Sequence, residues 1–196
     1  MAYTTRDLVK QYLGIPDGTS SENTPIDNAV LAAQSEIDQI TGRTFEVPGS
    51  ATVKTFVPYD DFTLYIDDIA QKTGLILKTD TGLDGTYDTT LTITTDFVLE
   101  GNTAPYRVVK RVDGSAYPRD RYGRPTVQVT AFWGYGMAIP DQIKQCALVI
   151  AARLYQRRSS PLGFQAGSVD VGFVRISRTD PEVIALLRGL KLPAAA

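Results

Sequence analysis

The order in which residue patterns succeed one another limits the fold of this chain more than any single motif does. Apolar residues at helical spacing open the sequence, β-branched and aromatic residues fill a long middle, and helical spacing returns from Pro140 to Arg158 and again near the end. Helical stripes at both ends must find each other to bury their apolar sides, so the middle is carried as an insertion on a helical hub. The expected class is α+β: a small helical bundle formed by the N- and C-terminal helices, with a β-rich insertion between helices two and three. The expected division is a helical part at 1–50, the β-rich insertion at 51–136, and a second helical part at 137–196 that completes the bundle.

Local signals place the elements. Thr4 or Thr5 caps a first helix whose apolar face is Leu8, Val9, Tyr12 and Leu13, and Gly14 ends it. After a turn-rich loop, Thr24-Pro25-Ile26-Asp27 supplies a cap, a first-turn proline and a first-turn acid, so a second helix starts near Pro25. Its stripe is Ile26, Val30, Ala33, Ile37 and Ile40, and Gly42 ends it. Between Thr52 and Tyr135 the composition predicts strands at Thr52–Pro58, Phe62–Ile66, Leu75–Thr79, Thr90–Thr94, Phe97–Leu99, Arg107–Val112 and Thr126–Trp133, closing into a compact sheet or small barrel. Ile139, Ile143, Cys146, Ala147, Ile150 and Leu154 share a face of the third helix, where Ala147, Ala151 and Ala152 let a neighbour approach closely. The alternation in Ser168–Ser177 predicts one more extended segment, and Asp180-Pro181 begins a last helix through Leu190.

Composition excludes whole classes of function. The chain has no histidine and one cysteine, Cys146, so Ser-His-Asp and Cys-His nucleophile systems cannot form within it, nor can an intrachain disulfide. The common zinc sites lose their commonest ligand. A net charge of -2 argues against a dedicated nucleic-acid binder. No apolar run approaches the roughly 20 residues of a membrane span, and the start lacks the zones of a secretory signal, so the expectation is a protein made in a cytosol with no membrane contact. No cofactor, no metal and no catalysis are expected.

The remaining motifs each carry a functional and a bland reading. Arg153 and Arg157 share one surface late in the third helix and Arg158 follows them; they face DNA or an acidic partner, or they are cations on a solvated helix C-terminus. Arg119, Arg121 and Arg124 form a second concentration, offset by Asp120. Asp60, Asp61, Asp67 and Asp68 do not match a calcium loop and read as structural or solvated. Gly134-Tyr135-Gly136 is a strand-to-helix turn, and Phe132, Trp133 and Tyr135 are core residues before they are a stacking platform. Val183, Ile184, Leu186, Leu187 and Leu190 need cover, at home or on a neighbour.

The opening Tyr-Thr-Thr-Arg-Asp-Leu-Val-Lys-Gln-Tyr-Leu-Gly-Ile-Pro, the helix from Ala29 to Arg43 ending Ile-Thr-Gly-Arg-Thr-Phe, the return from Trp133 through Lys144, and the string from Ala151 to Gly163 resemble the head-tail connector, or head-to-tail adaptor, family of siphophages. Long forms of that family carry a β-rich insertion between the second and third helices, where Thr52–Tyr135 falls. The resemblance implies a structural virion protein of the neck: a homo-oligomeric ring, commonly dodecameric, that attaches below the portal protein and extends the DNA channel. It also implies docking of the stopper (head-closure) or tail protein after packaging, with double-stranded DNA passing non-specifically through the lumen. It makes Arg153, Arg157, Arg158, Arg175 and Arg178 candidate portal or channel contacts, and Val183, Ile184, Leu186, Leu187 and Leu190 a candidate interface helix. The alternatives are another neck or tail-completion protein, such as a stopper or tail terminator, and a ligand-binding β module.

Overall fold

The computed structural model describes residues 2–158, 164–166, 173–175 and 181–192. The chain divides into two compact units, one made of residues 1–46 and 139–196 and the other of 47–138. Helices lie toward both ends and the middle is β-rich, so the class is α+β.

In the first unit, α1 (Arg6–Leu13) is capped by the Thr5 hydroxyl, which accepts from the Leu8 amide, and is closed by Gly14 at φ 67°. The buried side of this short helix differs from the expected one. Val9 is fully buried, but Leu8 and Tyr12 are about half exposed and Lys10 is only 3% exposed. Its ammonium donates to the backbone carbonyls of Asp17 (3.3 Å) and Thr19 (3.2 Å), so the following loop wraps around a lysine that periodicity alone places on the outside. A 3-10 turn, Ser20–Glu22, leads directly into α2 (Asn23–Thr41). The helix therefore starts two residues before Pro25. Proline is tolerated there because the first four amides of a helix have no intrahelical acceptor.

Ile26, Ala29, Val30, Ala33 and Ile37 of α2 are buried, and its main partner is α3 (Asp141–Arg157), which buries Ile143, Cys146, Ala147, Ile150, Ala151 and Ala152. Alanines at this contact let the two backbones come close. Gly42 ends α2 at φ 67°, and a Cβ there would stand 3.3 Å from Leu192, so conformation and space both call for glycine. The Leu192 amide donates to the Thr41 carbonyl (2.8 Å), satisfying one orphan acceptor at that helix end. Tyr3 lies in the core although it precedes α1: its hydroxyl donates to Asp38 and accepts from the Phe45 amide (2.7 Å). The last helix, α4 (Pro181–Arg188), buries Val183 and Leu187 in the same unit.

The second unit holds seven strands: β1 (Thr52–Phe56), β2 (Thr63–Ile69), β3 (Ile76–Thr79), β4 (Thr89–Leu91), β5 (Phe97–Leu99), β6 (Tyr106–Arg111) and β7 (Val127–Ala131). They form two antiparallel sheets in the orders β1-β7-β3-β4 and β2-β6-β5. One core lies between them, built from Leu64, Ile66, Ile69, Phe97, Leu99, Tyr106 and Val109 of one sheet and Leu77, Leu91, Val127, Val129 and Ala131 of the other. Single bridges, Ile69 to Trp133 and Ile93 to Phe97, join the sheets at their margins, so the insertion is a two-sheet sandwich stitched toward a barrel.

Within Ser168–Ser177, only residues 173–175 are described. They form β9 (Phe173–Arg175), which pairs antiparallel with β8 (Phe164–Ala166). The described part of the expected segment is thus one strand of an antiparallel pair, and the rest of that segment lies outside the described residues.

Candidate functional site

Sequence reasoning gathers the contact candidates at the end of α3 and on α4, and the structure distributes them over different surfaces. Arg158 is engaged at home. Its guanidinium forms an ion pair with Glu22, donates to the Tyr155 hydroxyl (2.9 Å) and stacks on the Tyr155 ring at 4.2 Å from the centroid, while that hydroxyl donates to Glu22 (2.6 Å). This cluster pins the end of α3 to the 3-10 turn before α2. The Tyr155 hydroxyl and then the Arg158 charge hold the Glu22 carboxyl below its ordinary pKa, and burial and the Glu22 hydrogen bond raise that of Tyr155. No signal in a single sequence joins positions 22 and 155.

Arg153 lies elsewhere, on the rim of a groove formed by α1, α3 and α4. Tyr12 borders the groove, α3 contributes Gln145, Val149, Ala152, Arg153 and Gln156, and α4 contributes Glu182, Val183 and Leu186. Cys146 lies at its buried floor. The α3 positions recur at helical spacing on the side of the helix away from Ile143, Ala147 and Ile150. Arg157 is half-buried and does not line the groove: seven residues after Ile150, it falls on that residue's side of α3. The backbone of Arg175 pairs with that of Phe164, and Arg178 lies outside the described residues. Of the α4 set, Val183 and Leu187 are spent on the home core, Leu190 is half-buried, and Ile184 (41% exposed) and Leu186 (36%) face outward.

The four acids singled out in the insertion, Asp60, Asp61, Asp67 and Asp68, do not converge on one site. Asp60 accepts from the amides of Phe62 (2.8 Å) and Thr63 (2.6 Å), which keeps its pKa low. Asp61 lies 3.6 Å from Arg119, Asp67 2.6 Å from Lys54, and Asp68 3.5 Å from Arg107. Among the described residues no group of three or more potential metal ligands converges. In the arginine-rich loop Asp120 holds Arg124, which also donates to the Leu83 carbonyl (3.0 Å), and Arg121 stacks on Tyr122. Trp133 is half-buried; its indole donates to the Thr52 carbonyl (2.8 Å) and packs against Phe56 and Lys54. Among the described residues no helix is long and apolar enough to cross a membrane.

No protein-family model matches the chain, and no curated protein matches it by sequence. A solved structure does. A chain from the neck of an empty gene transfer agent (GTA) particle, computed with C6 symmetry, superposes with a TM-score of 0.58 at 18% identity, over 96% of this chain and 89% of that one. At that identity the likeness establishes a shared fold, and it extends through both units rather than through the helices or the sandwich alone.

Proposed function

We propose that the chain is a structural subunit of a phage-like neck, and within the neck the head-to-tail adaptor. In this reading copies form a homo-oligomeric ring that attaches below the portal, extends the DNA channel and offers a docking surface to the stopper or tail. The observation that carries the reading is the correspondence, over nearly the whole length of both chains, with a chain from a particle neck. The residue strings at the helical ends point the same way independently, since they resemble connectors without reference to coordinates. The lack of histidine and the separate pairing of Asp61, Asp67 and Asp68 support a mechanical and adhesive role over a chemical one. Contact with DNA in the lumen would be electrostatic and indifferent to sequence, through Arg157 and neighbouring cations.

The test is genetic. Particles assembled without this chain are expected to accumulate as DNA-filled heads lacking tails, and supplying the protein afterwards should restore tail joining. Complete tailed particles formed in its absence would overturn the proposal. Empty, unpackaged heads would move the chain to an earlier step than the adaptor's.

A further inference from the structure

The connection from β6 to β7, residues 112–126, carries the chain from one sheet of the sandwich to the other and has no helix or strand of its own, which is uncommon at that length. Its middle is shaped largely by its own side chains. The Asp113 carboxylate accepts from the Ser115 amide (3.1 Å), the Asp120 carboxylate accepts from the Tyr122 amide (2.6 Å), and the Gly123 amide donates to the Asp120 carbonyl (3.1 Å). The two ends are anchored. Arg111, the last residue of β6, holds Asp113, and Arg124 holds Asp120 (2.8 Å) while donating to the Leu83 carbonyl (3.0 Å). Between the anchors, ties to the rest of the sandwich gather around Tyr117. The Tyr117 amide donates to the Asp61 carbonyl (2.7 Å), the Pro118 carbonyl accepts from the Thr126 hydroxyl (2.5 Å), and Arg119 stands 3.6 Å from Asp61 in an ion pair whose side chains are both more than half exposed. Tyr117 itself is 2% exposed and belongs to the core between the sheets, with the Arg111 guanidinium 5.4 Å from its ring centroid. Its hydroxyl has no hydrogen-bond partner among the described residues. A buried hydroxyl without a partner forfeits the water it would bind outside, so the closed position carries a cost that hydration of the side chain removes.

We infer that residues 114–123 form a strap, latched by Tyr117, that lifts off the sandwich while both sheets stay paired. The strap supplies no residue to the β1–β7, β3–β7 or β2–β6 ladders, so lifting it breaks none of them. It swings between fixed points, Asp113 and Arg124, and the glycines beside them, Gly114 and Gly123, already stand at positive φ (78° and 73°), where a chain can change direction at little steric cost. Of the groups that leave the closed position, the Tyr117 hydroxyl gains by leaving, which singles this stretch out from others held by buried side chains. Lifting vacates an aromatic-sized recess in the core and parts Arg119 from Asp61. The open state is therefore a minor conformation with a surface that the closed sandwich lacks. The latch belongs to the sandwich itself and does not depend on a role in a neck.

Hydrogen exchange of the full-length chain, followed amide by amide by NMR in increasing urea, provides the test. In the wild-type chain the Tyr117 amide is expected to exchange at least roughly tenfold faster than the amides of β7, at a rate that urea hardly changes below the unfolding transition, because lifting the strap exposes little surface. Tyr117→Phe removes the hydroxyl and keeps the ring. It should slow exchange of the amide at position 117 at least about fivefold, while the amides of Tyr122 and Gly123, bonded inside the strap, keep their wild-type rates. Equal exchange of the Tyr117 and β7 amides with the same urea dependence would show that the strap opens only when the sandwich unfolds. An unchanged or faster amide at position 117 in Tyr117→Phe would show that the hydroxyl does not weaken the latch. Either result overturns the inference.

Discussion

At the scale of single residues, the first unit is fixed by polar side chains in places where an apolar pattern predicts none. Lys10 holds the loop after α1 through the Asp17 and Thr19 carbonyls. Lys10→Met keeps the buried stem and removes the ammonium, so it should cost about 1–3 kcal/mol in urea unfolding; an unchanged midpoint would show the loop to be held otherwise. The pH profile follows from individual groups. Glu22, Asp27, Asp60, Asp113, Asp120 and Asp141 all have lowered pKa values through hydrogen bonds or ion pairs, led by Tyr155, Arg6, the Phe62 amide, Arg111, Arg124 and Lys144 in turn. Their contribution is complete above the ordinary carboxylate value of about 4 and is lost as pH falls through the lowered values. Asp38 has the opposite sign. Burial raises its pKa, so its contribution is present below its ordinary value and lost as pH rises through the raised one. Tyr3, raised by burial and by its bond to Asp38, contributes fully below about pH 10 and loses that contribution as pH rises further. With no histidine in the chain, the melting temperature should be nearly level between about pH 6.5 and 8.5 and fall below about pH 4. A step near neutrality in thermal melts would contradict this assignment.

At the scale of elements, small residues and turn carboxylates decide what packs. Ala147 and Ala151 are fully buried in α3, whose principal partner is α2. Ala151→Leu should therefore force the helices apart and lower stability by about 1–3 kcal/mol, whereas the same exchange at exposed Ala32 should leave the melt nearly unchanged. Asp80, 3% exposed, accepts from the amides of Asp84 (3.2 Å) and Gly85 (2.8 Å) and so shapes the β3–β4 connection. Asp80→Ala leaves those amides to water and should destabilise the sandwich by about 1–3 kcal/mol, read as a lower melting temperature. Elements were legible in the sequence where the signal is local. The cap at Thr5, the closures at Gly14 and Gly42, the stripe of α2 and the strand Phe97–Leu99 all follow from a few adjacent residues. What was not legible depends on residues far apart in sequence. Tyr3 meets Asp38 and Phe45, Glu22 meets Tyr155 and Arg158, and Lys10 is buried only because a loop closes over it.

At the scale of the whole molecule, the expectation of helices at both ends around a β-rich middle is met by the fold, because the switch between periods of 3.6 and 2 is long and unambiguous on both sides. The candidate site was legible only in part. The sequence marked the end of α3 and the apolar residues of α4, but not that Arg158 is held by Glu22, nor that α1 completes a groove with α3 and α4. Grooves between helices depend on how three elements meet, and one chain's residue pattern does not encode that directly. A neck subunit built this way would gain its hold on the particle from modest contacts repeated around a ring.

The measurement that decides the proposed neck role is the mass of the purified protein, alone and mixed with a portal ring, by light scattering across several salt concentrations. A closed ring of copies, or stoichiometric binding to the portal, is the expected result. A chain that remains monomeric and ignores the portal at every salt concentration would contradict it, leaving the shared fold without the shared role.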